Sequence, residues 1–195
     1  MSSSKKGHID SAKVIIQEVF SRFWFRIPDY QRAYVWGKDE ISELIDDIKH
    51  ASEFNPDGQY FLGSMVLRKA TRNEAGLSFE EYELLDGQQR LTTLMLMLAC
   101  IRDRVADADL KGACREMLYQ KENKWKNIPG RNRLVHDIRD NVGDFIERFV
   151  KADDGTLSVD LACIAATSKN LSLANMAAGT RTIHACFDDT KRFTS

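Results

Sequence analysis

Apolar positions recur at two different spacings along this chain, and the changes of spacing predict where its elements begin and end. Over residues 9–20, Ala12, Ile15, Ile16 and Val19 recur at helical intervals, with Asp10 or Ser11 placed to cap them. Residues 22–27 are aromatic and strand-like, and Pro28 closes them by biasing Ile27 to extended geometry. After the break at residues 37–40, Ile41, Leu44, Ile45 and Ile48 form a helical stripe opposite Glu43, Asp46, Asp47 and Lys49. Asn55-Pro56-Asp57-Gly58 signals a turn. Residues 59–68 then read as a strand with Gly63 and Ser64 in its middle, where small residues mark the close approach of a backbone or a ligand. Residues 69–77 read as a hairpin loop and residues 79–85 as the return strand. A long helix over residues 88–105 turns Leu91, Leu94, Met95, Leu98 and Ile101 to the core.

Beyond residue 107 the strand signals fade. Residues 110–119 and 171–187 read as helices, the second weakened by Gly179. Residues 134–150 carry Ile138, Val142, Phe145, Ile146 and Phe149 in a helical pattern. Between them, residues 121–133 are basic and polar, with a break at Pro129-Gly130, and Asp153-Asp154-Gly155 is a turn. The pattern predicts an α+β chain in two parts: a small sheet with helices over residues 1–106, then an all-α extension over residues 107–195. The last helix ends at Arg192-Phe193-Thr194-Ser195 without a cap, so the chain reads as part of a longer protein.

Composition adds exclusions. With 195 residues, 43% hydrophobic and 29% charged, the chain has the profile of a folded domain. Its net charge of −1 supplies no global field for nucleic acid, so any DNA contact must be a local patch. Cys100, Cys114, Cys163 and Cys186 form no C-x-x-C pair and no ligand cluster with His8, His50, His136 or His184. That spacing argues against structural zinc and a disulfide framework and predicts reduced thiols in the cytoplasm. Residues 1–7 read as a short tail, neither a signal peptide nor a membrane anchor.

Chemistry concentrates at Asp86-Gly87-Gln88-Gln89-Arg90, where a strand gives way to a helix. Free backbone N–H groups and the positive end of the helix dipole make such a junction an anion site. Gly87 permits the tight turn, Gln88 and Gln89 offer amide donors, and Arg90 is placed to fork onto phosphate oxygens. Asp86 is a ligand for the Mg²⁺ that travels with a nucleotide, or a group to orient an attacking water, with Thr92 and Thr93 close behind. Spacing alone leaves a plain alternative open, in which Asp86 caps the helix and Arg90 pairs with a neighbour.

A second constellation, Phe25-Arg26-Ile27-Pro28-Asp29-Tyr30-Gln31-Arg32-Ala33-Tyr34-Val35-Trp36, interleaves aromatic and basic residues, which stack bases or grip a backbone. Tyr30, Gln31 and Arg32 should lie at the rim of the sheet. Tyr34 and Trp36 equally suit a core, and Arg32 an ion pair with Asp46 or Asp47.

Three blocks, residues 27–36, 60–67 and 85–94, closely resemble the N-terminal domain of GmrSD-type modification-dependent restriction proteins, a domain also carried by the phosphorothioate-sensing SspE proteins. The likeness covers about residues 9–105, and the helical remainder is similar only loosely. It implies a ParB/sulfiredoxin-like fold whose Asp-Gly-Gln-Gln-Arg block binds and hydrolyses GTP or ATP and couples hydrolysis to sensing modified DNA. By position it makes Asp86, Gly87, Gln88, Gln89 and Arg90 the nucleotide site and Tyr30, Gln31 and Arg32 the next candidates, for nucleotide or modified DNA. Joined to the reading of the residues, this casts Asp86, Gln88, Gln89 and Arg90 as catalytic, Gly87, Arg90, Thr92 and Thr93 as nucleotide-binding and Asp86 as the metal ligand. It also implies a C-terminal His-Asn-His nuclease domain in the full-length protein. No nuclease motif occurs here, and His136 and His184 read as ordinary helix residues. Alternatives are a non-catalytic reader of modified DNA, a ParB-like nuclease, and, for the helical part, a docking scaffold.

Overall fold

The computed structural model describes residues 10–74, 76–126, 128–137 and 141–191. The expected N-terminal tail, the last four residues and Ile138 lie outside them.

The chain is a mixed α+β fold built on a four-stranded sheet of order β2-β3-β1-β6, with helices α1 (Ile16–Arg22), α2 (Lys38–Phe54), α3 (Gln88–Arg104), α4 (Ala108–Leu118), α5 (Val142–Phe145), α6 (Asp160–Thr167) and α7 (Leu171–Lys191). The short strand β1 (Phe25–Ile27) is central, parallel to both β3 (Leu77–Asp86) and β6 (Leu134–His136). The edge strand β2 (Val66–Glu74) runs antiparallel to β3. A separate two-stranded ribbon joins β4 (Tyr119–Gln120) to β5 (Arg131–Asn132).

Several boundaries differ from the pattern-based expectation, each for a physical reason. The first helix begins at Ile16, and residues 10–15 are irregular. Residues 59–65 are also irregular, and β2 occupies the stretch expected to be a hairpin loop, reaching Glu74 opposite Leu77. Its polarity misled because β2 is an edge strand whose charges pair across to β3. Arg68 and Arg72 bond Glu83, and Lys69 pairs with Glu80. Residues 134–136, expected to be helical, form β6 instead, and the helix that follows passes into a π-helical turn, Ile146–Lys151. The basic stretch before them is the β4–β5 ribbon.

α3 is the spine. Every residue from Leu91 to Cys100 is buried, so the helix is enclosed on all sides. Around it one core draws on both sides of position 106: Phe20, Phe25, Ile41 and Leu84 from the first part, Leu134, Phe149, Met176 and Ile183 from the second. Among the described residues no helix is long and apolar enough to cross a membrane.

Candidate functional site

The chain leaves the sheet at Asp86 and enters α3 through Gly87, whose φ of +93° is a left-handed conformation that glycine adopts without strain. A side chain there would also collide with Met65 Cγ at 2.9 Å and Ser64 O at 3.3 Å, because the segment before β2 packs directly over the turn. With glycine as N-cap, α3 starts without a side-chain cap and without an acidic residue in its first turn. Its leading N–H groups therefore keep their attraction for an anion.

Arg90 stands in that first turn. Its guanidinium lies against the backbone of Gly63 (φ +111°), so closely that a Cβ at Gly63 would fall 2.4 Å from a terminal nitrogen. Glycine at 63 thus makes room for a cation beside the helix start. Among the described residues Arg90 has no ion pair, and neither do Asp86 and Arg32; Asp86 and Arg32 are exposed and Arg90 half-buried. Close to Arg90, the Tyr60 hydroxyl donates to Asp47 at 2.8 Å. That hydrogen bond raises the Tyr60 pKa, and Arg90 pulls it the other way.

The two glutamines serve differently from the donors expected of them. Both are buried, and both amides are bonded within the protein. Gln88 Nε2 donates to the carbonyl of Arg32 at 3.1 Å. Gln89 Nε2 donates to the carbonyl of Ala33 at 2.9 Å, while its Oε1 accepts from the amides of Val35 at 2.8 Å and Trp36 at 3.3 Å. Gln31 Nε2 returns the contact from the other side, donating to Leu85 O at 3.1 Å. Thr92 and Thr93 are also buried, and Thr93 Oγ1 donates to Gln89 O at 2.9 Å. With that proton spent, the Tyr34 hydroxyl must donate to Thr93 Oγ1, 2.8 Å away. Burial of the phenol lifts the Tyr34 pKa to about 12.

These bonds make one unit of two sequence blocks. Residues 31–36 form a loop sewn onto the start of α3, leaving Tyr30 (62% exposed), Arg32 and Val35 facing outward. Tyr34 is a core residue, as its pattern allowed, and Trp36 packs partly buried on the core. Two contacts come from α7, where Ser172 Oγ accepts from Tyr34 N at 3.1 Å and Asn175 Nδ2 donates to Tyr34 O at 3.1 Å. Sequence spacing carries no signal for such a pairing across 138 and 141 positions.

A family model described as the GmrSD restriction endonuclease N-terminal domain matches residues 13–184. The chain belongs to this family. Within the GmrSD N-terminal domain seen here, the match reaches past residue 106 into α7, in keeping with the shared core. The chain is also similar to an uncharacterized protein of Methanocaldococcus jannaschii, 33% identical over 78 residues, 35% of this chain and 13% of the relative. It therefore spans about an eighth of that relative's length.

Beside Arg90 and further along α3, an apolar cavity of about 270 Å³ is lined by Tyr60, Leu62, Leu94, Leu98 and Ile101, with Ile48 from α2. Apart from the Tyr60 hydroxyl, these side chains carry no group to read a base edge. Among the described residues no three His, Cys, Asp or Glu side chains gather as a metal cage.

Proposed function

We propose that this GmrSD-type domain binds and hydrolyses a nucleoside triphosphate at the Asp86–Arg90 corner, and that hydrolysis is coupled to sensing modified DNA within a longer restriction protein. The observation that carries the reading is Arg90, a guanidinium without a carboxylate partner among the described residues, held by Gly63 beside the uncapped end of α3. A half-buried cation next to free helix amides has one natural complement, a polyanion. Arg90 and the leading amides hold phosphate oxygens as water attacks the terminal phosphorus, giving the diphosphate, inorganic phosphate and a proton. Asp86 would supply the one carboxylate that a magnesium ion travelling with the nucleotide needs from the protein. When bound, that ion would neutralise charge on the phosphates. Gln88, Gln89 and Thr93 are positioning residues in this reading, since their polar groups hold the 31–36 loop rather than a ligand.

Phosphate release from GTP and ATP, measured on the purified chain, tests this. Arg90→Ala and Asp86→Ala should each slow release by about a hundredfold or more, and leave thermal unfolding in place because neither side chain holds the fold together. Variants as fast as the parent, or a parent whose melting is indifferent to nucleotide, would remove the assignment.

A second role rests on its own observation. Tyr30 and Arg32 project outward from a loop that is otherwise bonded down. An exposed phenol beside an exposed guanidinium suits a modified DNA strand. If they read the modification, Tyr30→Ala lowers affinity for modified duplex and spares plain duplex. Equal losses on both would mark them as mere backbone contacts.

A further inference from the structure

The basic stretch ahead of β6 is left unexplained by the nucleotide site. It forms a ribbon, with Tyr119 opposite Asn132 and Gln120 opposite Arg131. Beyond the ribbon the chain closes again, as Asn123 and Ile128 exchange both backbone hydrogen bonds at 2.8 and 3.0 Å. Inside that closure a single 3-10 turn holds Lys124-Trp125-Lys126. Asn123 Oδ1 accepts from Lys126 N at 3.1 Å and fixes the turn. Trp125, at its apex, is 99% exposed.

A large aromatic side chain fully in water contributes nothing to its own fold. The surrounding charge says what it meets. Lys121, Lys124 and Lys126 are exposed, and among the described residues none of them has an ion pair, while Glu122 is the one acid beside them. The arginines at the ribbon's base are already engaged, Arg131 with Glu81 and Arg133 with Gln120. A chain of net charge −1 thus presents an exposed indole close in sequence to three exposed lysines that have no ion pair among the described residues, on a turn closed by hydrogen bonds. Tryptophan is common at protein interfaces, but lysine is depleted there. Lysines on phosphate with an aromatic ring against a base are the pattern of nucleic-acid contact.

Topology separates this tip from the corner at Asp86. Residues after β5 lead into the start of β6, which runs parallel to β1, whereas Asp86 and Pro28 lie where β3 and β1 end. The base of the ribbon and the corner therefore sit at opposite ends of the sheet.

We propose that the β4–β5 tip is a second, separate DNA contact, in which Trp125 stacks on or wedges beside an unstacked base and Lys121, Lys124 and Lys126 neutralise adjacent phosphates. The contact stands independently of the nucleotide reading, because none of its residues touches the corner.

Fluorescence anisotropy of a dye-labelled single strand and its matched duplex, titrated with the full chain, tests it. Trp125→Ala should weaken binding by roughly tenfold, the loss of one base stack. Trp125→Phe, which keeps a ring, should recover most of that loss. Replacing all three lysines by glutamine should flatten the dependence of log affinity on log salt by about two units, from three lost phosphate contacts on a single strand. Thermal unfolding should match the parent in every variant, since all four positions are exposed. Unchanged affinity in Trp125→Ala, no recovery in Trp125→Phe, or a parent that binds neither DNA overturns the proposal. So does a Trp125→Ala variant that loses a protein partner but keeps DNA. Nucleotide-dependent melting, measured alongside, reports on the Asp86 corner separately.

Discussion

Gln89 and Arg90 are neighbours with opposite duties, and their substitution should show it. Gln89 satisfies two amides and one carbonyl of the 31–36 loop from a buried position. Alanine there strands those groups, at a cost of about 3 kcal/mol. Urea unfolding of Gln89→Ala should show a loss of that order, together with weakened nucleotide binding, because the loop comes loose from α3. Arg90→Ala should lose the nucleotide and keep the stability. Equal stability losses in the two variants would mean that Arg90 is also part of the scaffold. A second residue governs behaviour in acid. Burial lowers the His136 pKa to about 4, and among the described residues its buried Nε2 has no hydrogen-bond partner. In the unfolded chain the imidazole titrates near 6.5, so between these values unfolding takes up a proton. Stability should therefore fall as pH drops from 6.5 towards 4, by at most roughly 1.4 kcal/mol per pH unit from this group. His184, also lowered by burial, adds to the same limb. His136→Phe should flatten the limb in pH-dependent urea titrations, and an unchanged slope would place the proton uptake elsewhere.

At the scale of elements, the sheet carries an ionic face. Glu81 is fully buried and bonds Arg26, Arg72 and Arg131, with Arg131 also lying 4.3 Å from the centre of the Phe79 ring. A buried carboxylate among guanidiniums is costly to form but more costly to break on one side. Glu81→Ala should lower unfolding free energy by about 3–5 kcal/mol in urea titrations. A loss below about 1 kcal/mol would mean that the arginines swing out to water. The same face shows why some elements were legible and others were not. α2, α3 and α7 announced themselves because apolar residues recur along them at helical spacing, although α3 is in fact buried on every side. β3 did so through alternation, although the pattern could not say that Glu81 and Glu83, on the Phe79 side, would face inward. β2 was hidden because its partners for burial are charges supplied by another strand, and β6 because a three-residue strand leaves no period to read. At the site, Asp86, Gly87 and Arg90 stood out as a strand-to-helix turn. What Gln88 and Gln89 hold was not legible, since an amide looks alike whether it waits for a ligand or clamps a loop.

For the whole molecule, the question is whether the residues before position 106 are a unit. Their sheet takes β6 from residues 134–136, which covers the open side of β1. Their helix α2 packs against α7, where Gly179 lets the helices meet: a Cβ there would fall 2.8 Å from Ile41 Cδ1. Tyr34, inside the sewn loop, is held from α7 by Ser172 and Asn175. At the far end of α3, buried Arg102 donates to the carbonyls of Val150, Lys151 and Ala152, and Asp103 accepts from Thr156 N and Oγ1. Removing residues 107–195 would expose both flanks of α3, strip β1 of a neighbour and take from Arg102 its three carbonyl acceptors, leaving it only Asp103. Each is a loss of several kcal/mol, against a total stability for a domain of roughly 5–15 kcal/mol. A chain ending at residue 106 should therefore lack a cooperative unfolding transition and bind no nucleotide, whereas residues 13–191 should melt as a single transition. Near-UV circular dichroism and calorimetry on the two chains decide it. Native-like melting of the shorter chain would show that the helical half is an attachment, and that the loop around Tyr34 holds its shape without α7.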